Sequence, residues 1–206
     1  MAVVARLSIA PGIFLWREKF SPLQQKQLLD DVLARLEQAP LYQPVMPGSG
    51  KPFSVEESSF GALGWVSDKS GYRYQPLHPV TGQAWPDIPP RLLTLWDEIN
   101  GGSAPESCLV NVYRNGAKMG LHQDRDEQDV SAAVIGVSLG DTALFRIGSP
   151  ARGGKTQSVI LASGDVIAFG GPARLAYHGI DRVRTGTSRL LAGGGRFSLT
   201  LRRVWT

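Results

Sequence analysis

The sequence predicts a mainly β domain with flanking helices, and three observations carry that prediction. From Leu109 onward, short apolar or alternating runs follow one another: LVNVY, AAVIGVSLG, ALFRI, SVILA, DVIAFG and RFSLTLRRV, set apart by Gly, Pro, Asp and Ser. Helical spacing is confined to two segments ahead of them. Between those segments, residues 40–90 are rich in proline, glycine and aromatics and show no clear period. Strands in such a series form a sandwich, a jelly roll or a barrel.

Taken in order, Ser21 and Pro22 read as an N-cap followed by proline at the first helical position. Leu28, Leu29, Val32, Leu33 and Leu36 follow at helical spacing, and Pro40 ends the helix. The irregular stretch carries Tyr42, Phe53, Phe60, Trp65, Tyr72, Tyr74 and Trp85, a composition expected of a lid or a binding surface. PPRLLTLWDEINGG predicts a second short helix stopped at Asn100-Gly101. In strands, side chains at i and i+2 share a face. Asn111 and Tyr113 therefore point one way, with Val110 and Val112 behind them. Arg196, Ser198, Thr200 and Arg202 line one face, with Phe197, Leu199 and Leu201 behind.

At 206 residues the chain suits one domain, or one domain with a lid. The net charge is +4, with basic residues concentrated late: Arg174, Arg182, Arg184, Arg189, Arg196, Arg202 and Arg203. This fits a polyanionic partner and equally a solvated basic surface. Cys108 is the only cysteine, which excludes an intrachain disulfide and fits a reducing compartment. It reads as a small buried hydrophobe. No apolar run is long enough to span a membrane. The opening MAVVARLSIAPGIFLW is broken by Arg6, Pro11 and Gly12 and does not read as a signal peptide. A cytoplasmic protein is expected.

The chemistry sits in two motifs. LHQDRDE holds His122 and Asp124 as His-x-Asp, and LAYHGI holds His178. Two imidazoles and one carboxylate can occupy one face of a mid-row divalent ion and leave the opposite face open, the pattern of non-haem Fe(II) oxygenases. A closed structural zinc site would want a fourth ligand, and the remaining histidine, His78, lies in the proline-rich QPLHPV. On the last strand Arg196 and Arg202 form an arginine-lined face. Two interior guanidinium groups need an anion, and no acidic run nearby offers itself. A dicarboxylate that chelates iron at one end and pairs with arginine at the other would serve, and 2-oxoglutarate has that shape. Two decoys fall away. Gly136 to Gly140 fits G-x-S-x-G around Ser138, with Asp165 and His178 downstream, but a turn and a strand follow where a nucleophile elbow needs a helix. PGSGKP has Val45 and Pro52 where a phosphate loop needs Gly and Ser or Thr.

From Trp65 to Arg202, and most densely in NVYRNGAKMGLHQDRDE, GDVIAFGGPARLAYHGI and RFSLTLR, the chain resembles the AlkB family of Fe(II)/2-oxoglutarate-dependent nucleic-acid demethylases. The resemblance implies a double-stranded β-helix, or jelly roll, with an N-terminal nucleotide-recognition lid. It implies one catalytic domain over 1–206: a helical extension at 1–40, the lid at 41–88 and the core at 89–206. It implies iron on His122, Asp124 and His178, and 2-oxoglutarate against Asn111, Tyr113, Arg196, Ser198 and Arg202. Arg196 would hold the far carboxylate, and Arg202 would lie near the metal-proximal one. Ser198 departs from the family's usual Asn, giving a shorter hydrogen-bonding arm. Asp126 would face the exocyclic amine of the target base as a catalytic group. Trp65 would stack on that base opposite His122, Tyr72 would touch the backbone, and Arg152 would face the lid.

The implied reaction is O2-dependent demethylation of 1-methyladenine or 3-methylcytosine, preferably in single-stranded DNA, with release of formaldehyde, succinate and CO2. RNA is a further expected substrate. The alternatives are an oxygenase acting on RNA or protein, and a nucleic-acid reader with a dead iron site. A monomer without membrane partners is expected.

Overall fold

The computed structural model describes residues 5–205. Ser21 opens the first helix, α1 (Pro22–Leu36), through a capping box in which its side chain and that of Gln24 each accept from the other's backbone N–H. The second helix, α2 (Pro90–Ile99), ends at Asn100, and Gly101 follows with φ +62°. Both helices lie where the spacing predicts them.

The strands are β1 (Arg6–Ala10), β2 (Ile13–Trp16), β3 (Glu56–Phe60), β4 (Gly64–Asp68), β5 (Gly71–Gln75), β6 (Ser107–Tyr113), β7 (Met119–His122), β8 (Val134–Gly140), β9 (Thr142–Ile147), β10 (Gln157–Leu161), β11 (Val166–Phe169), β12 (His178–Arg184) and β13 (Arg196–Arg202). They form a seven-stranded sheet in the order β1-β2-β11-β8-β13-β6-β3 and a four-stranded sheet in the order β10-β9-β12-β7. β4 and β5 form a separate hairpin. This is a jelly-roll core, as expected.

The pleat of the large sheet divides its residues by chemistry. Val110, Val112, Val137, Leu139, Phe197, Leu199 and Leu201 pack with Leu28, Val32, Leu92 and Trp96 of the two helices in one apolar cluster. The opposite face meets the small sheet through Ile13, Leu15, Phe145, Ile167, Phe169 and Ile180. That face also carries Asn111, Tyr113, Arg196 and Ser198, so the polar row opens into the space between the sheets.

Strands lie inside both of the expected N-terminal segments. The segment 1–40 is not helical throughout, because β1 and β2 form a hairpin that joins the large sheet through β2 and β11. Ile13 and Leu15 alternate with more exposed neighbours and supply the inter-sheet core; four residues are too few for that period to stand out in the sequence. Within 41–88, β3 is an edge strand of the large sheet, paired with β6. Among the described strands, only the β4–β5 hairpin stands outside the two sheets.

Candidate active site

The metal-binding candidates converge because β7 ends where β12 begins its pairing. His122 and His178 are direct cross-strand partners, with ring centroids 4.6 Å apart. The strands approach so closely that a Cβ on Gly179 would lie 2.5 Å from the Met119 carbonyl oxygen. Asp124 follows β7 and turns its carboxylate inward. Its two oxygens lie 3.7 Å from His122 Nε2 and 3.7 Å from His178 Nε2. The three ligand atoms all fall within 4.8 Å of one another. Each imidazole is aimed by its other nitrogen: Nδ1 of His122 pairs with the Gly120 carbonyl and Nδ1 of His178 with the Ala176 carbonyl, both at 2.9 Å. A carbonyl only accepts, so Nδ1 carries the proton and Nε2 is free for a metal. Burial, followed by the nearby His122, lowers the pKa of His178 to about 4, although Asp124 pulls the other way. His178 is neutral at physiological pH, as a ligand must be.

Burial alone would raise the pKa of Asp124, but Arg202, His178, His122 and Arg174 together hold it far below the usual carboxylate range. Arg202 grips it with two hydrogen bonds, Nη2 to Oδ1 at 2.8 Å and Nε to Oδ2 at 3.2 Å. Arg202 also lies 3.5 Å from Glu127, and Arg174 bonds both Glu127 and the Asp124 carbonyl. Tyr74 closes this buried network by donating to Glu127. The expectation that the strand arginines lack acidic partners therefore fails for Arg202. The reading of the late basic residues as a solvated surface fails for Arg174, which is buried against Glu127, whereas Arg182, Arg184 and Arg189 are exposed.

Arg196 is the contrast. It is 1% exposed, and among the described residues no carboxylate lies within 4.0 Å of it. Its Nη2 donates to Ser138 at 2.6 Å, Nη1 reaches only the Asp141 and Leu161 carbonyls at 3.4 and 3.5 Å, and Nε has no partner. Burial lowers its pKa to about 10. A buried guanidinium with donors to spare fits an anion. Ser138, the decoy serine, is an ordinary strand residue that orients this guanidinium. Register sets Arg196 beside Tyr113, and Ser198 between Asn111 and Ser138. Burial keeps the Tyr113 phenol protonated and able to donate, against the opposing pull of Arg196.

These residues line one cavity of about 1110 Å³, whose mouth is formed by Trp65, Tyr72, Asp126 and Arg152. Trp65 Nε1 donates to Asp126 Oδ2 at 2.8 Å, and the indole stacks on Tyr72 at 5.3 Å and 18°. Arg152 is exposed in the β9–β10 loop. His78 lies outside the cavity, buried with both ring nitrogens bonded to backbone, so its role is structural. Cys108 is buried and inert, its pKa raised to about 12 chiefly by burial.

Four residues in or around this site have no site role in the sequence reading. Glu127 and Arg174 lie inside the quoted motifs and carried a signal in their position. Tyr74 and Glu57 lie in the aperiodic stretch and carried none. The donor set fits a divalent metal such as Fe(II), and the unpaired Arg196 fits the far end of a dicarboxylate.

The family model described as the 2OG-Fe(II) oxygenase superfamily matches residues 12–202. The chain is 52% identical over 201 residues to an alpha-ketoglutarate-dependent dioxygenase AlkB homolog of Caulobacter vibrioides, strain NA1000 / CB15N, covering 97% of this chain and 91% of that protein. It is 36% identical to alpha-ketoglutarate-dependent dioxygenase AlkB of Escherichia coli, strain K12, covering 95% and 92%. The solved structure of OsALKBH1 superposes with a TM-score of 0.82 at 28% identity, covering 97% of this chain and 100% of that one. The triad, the unpaired arginine at the cavity floor and these likenesses agree: the chain belongs to the 2OG-Fe(II) oxygenase superfamily as an AlkB-type Fe(II)/2-oxoglutarate-dependent dioxygenase.

Proposed function

We propose that the enzyme removes methyl groups oxidatively from N-alkylated bases in nucleic acid, with 1-methyladenine and 3-methylcytosine in single-stranded DNA as its preferred substrates. The observation that carries this reading is the Trp65–Tyr72 stack with Asp126 at the mouth of the cavity that holds the metal triad. An aromatic platform beside a carboxylate suits a flat cationic ring.

When bound, Fe(II) with 2-oxoglutarate and O2 supplies the chemistry that hydroxylates the N-methyl carbon, after which formaldehyde leaves and succinate and CO2 remain. His122, Asp124 and His178 hold the metal. Arg196 grips the far carboxylate of the co-substrate, the Tyr113 hydroxyl adds a donor, and Asn111 and Ser198 contact the co-substrate. Arg202 fixes the Asp124 carboxylate and lies beside the co-substrate. Trp65 receives the extruded base, a contact worth about 1–3 kcal/mol by stacking. Extrusion costs a few kcal/mol in a duplex and less where methylation has already broken pairing or the strand is single. Asp126 favours a cationic methylated base over a neutral one, Tyr72 meets the backbone, and Arg152 adds positive charge at the rim. The single cysteine supports a reducing compartment, and we place the enzyme in the cytoplasm as a monomer.

Formaldehyde release from a single-stranded oligonucleotide carrying 1-methyladenine or 3-methylcytosine tests this, with Fe(II), ascorbate, air and a control lacking 2-oxoglutarate. Co-substrate-dependent methyl loss is expected, and faster from DNA than from the matching RNA. Succinate without methyl loss from either polymer would refute the base as substrate.

A further inference from the structure

β3 brings a carboxyl group to the cavity wall that the proposed reaction does not use. Glu57 is 1% exposed and lines the cavity, yet among the described residues neither of its carboxyl oxygens has a hydrogen-bond partner. Its cross-strand partner is Asn111 on β6, and the same row continues through Ser198 to Ser138. Direct cross-strand partners hold their Cβ atoms about 4.5–5.5 Å apart. Asn111 also has an orphan, its carbonyl oxygen Oδ1. Two neighbouring buried side chains are thus left with acceptors and no donor, an arrangement that costs free energy at each atom.

One proton on Glu57 would supply the donor that Asn111 Oδ1 lacks. An anionic co-substrate accepts hydrogen bonds and cannot donate them, so Asn111 must present its NH2 to it. Oδ1 then faces away, and whatever meets it must donate. An ionised Glu57 cannot. We propose that Glu57 is a neutral carboxylic acid that donates its proton to Asn111 Oδ1 and so locks the amide with its NH2 toward 2-oxoglutarate. Glu57 is a positioning residue that acts through Asn111, and the inference rests on the proposal that Asn111 holds the co-substrate. The surroundings agree. Burial raises the Glu57 pKa to about 8, with only Arg202 of β13 pulling it down. The other titratable groups that feel its charge are Tyr42, which pairs with it through the backbone, and Tyr113 on β6, and both are held neutral chiefly by burial.

The test measures 2-oxoglutarate affinity without turnover, from the visible absorption band that a 2-oxo acid gives on chelating Fe(II), under anaerobic conditions and at pH values on both sides of 8. Glu57→Gln keeps a donor and is expected to hold affinity within about twofold of wild type, independent of pH. Glu57→Met loses the donor and is expected to weaken affinity about fivefold, the worth of one neutral hydrogen bond. Wild-type affinity is expected to fall as pH rises through the Glu57 transition. Infrared difference spectra between wild type and Glu57→Gln should show the carbonyl stretch of a protonated carboxyl at neutral pH. Equal weakening in the Gln and Met variants, or absence of that stretch, would overturn the inference. Asn111→Ala separates the two levels. If it leaves affinity unchanged, the role of Asn111 fails and this inference with it. If it weakens affinity while Glu57→Met does not, only the inference fails.

Discussion

Arg196 and Arg202 share one face of one strand and have opposite electrostatic situations. Arg202 is neutralised by Asp124 and Glu127, whereas Arg196 has no acidic partner among the described residues. Removing one member of a buried ion pair strands the other, at about 3–5 kcal/mol. Arg202→Met is therefore expected to lower stability by about that amount, read from urea denaturation, and to weaken iron binding by freeing Asp124. Arg196→Met removes an uncompensated buried charge. Without co-substrate its stability is expected to match or exceed wild type, while the KM for 2-oxoglutarate rises about 10- to 100-fold, as losing a charge-assisted hydrogen bond implies. A strongly destabilised Arg196→Met would show that the protein already neutralises this guanidinium.

At the scale of elements, two strand pairs carry the chemistry. β7 and β12 set the two imidazoles side by side, and Gly179 permits their close approach. Gly179→Ala would drive a methyl group against the backbone oxygens of Met119 and Gly120, at 2.5 and 2.7 Å. The expected outcome is a loss of about 1–3 kcal/mol together with weaker Fe(II) binding, seen in thermal unfolding and metal titration. Unchanged values in both would mean that the approach is not required. The β4–β5 hairpin carries the aromatic platform. Trp65→Ala is expected to raise the KM for a methylated oligonucleotide by the equivalent of about 1–3 kcal/mol, while succinate formation without nucleic acid persists. A comparable loss of both would place Trp65 in the fold and not in substrate binding.

At the scale of the whole molecule, Glu57 and His178 shape the pH dependence of stability. Burial raises Glu57 from an ordinary value of 4.5 to about 8. Its unfolded form ionises first, so this contribution is full below 4.5 and disappears as pH rises through about 8. His178 is lowered from 6.5 to about 4. Its unfolded form takes up the proton first, so that contribution is full above 6.5 and disappears as pH falls through about 4. The two slopes oppose each other between 4.5 and 6.5, and metal-free protein is expected to lose stability on both sides of that window. Tm against pH checks this, and Glu57→Gln should flatten the alkaline side alone. The same scale separates what the sequence by itself determined from what the tertiary structure decided. Strand alternation, the Ser21-Pro22 helix start and the His-x-Asp and arginine motifs are local patterns, and from them came the β core, both helices, the candidate iron ligands and the face of β13 that bears Arg196 and Arg202. The N-terminal hairpin, the membership of β3 in the large sheet, the partnering of Arg202, the buried Tyr74–Glu127–Arg174 network and the orphaned Glu57 came only from the structure. Each depends on which distant residue occupies the neighbouring strand, and charge pairing and desolvation are properties of that neighbourhood, not of the residue.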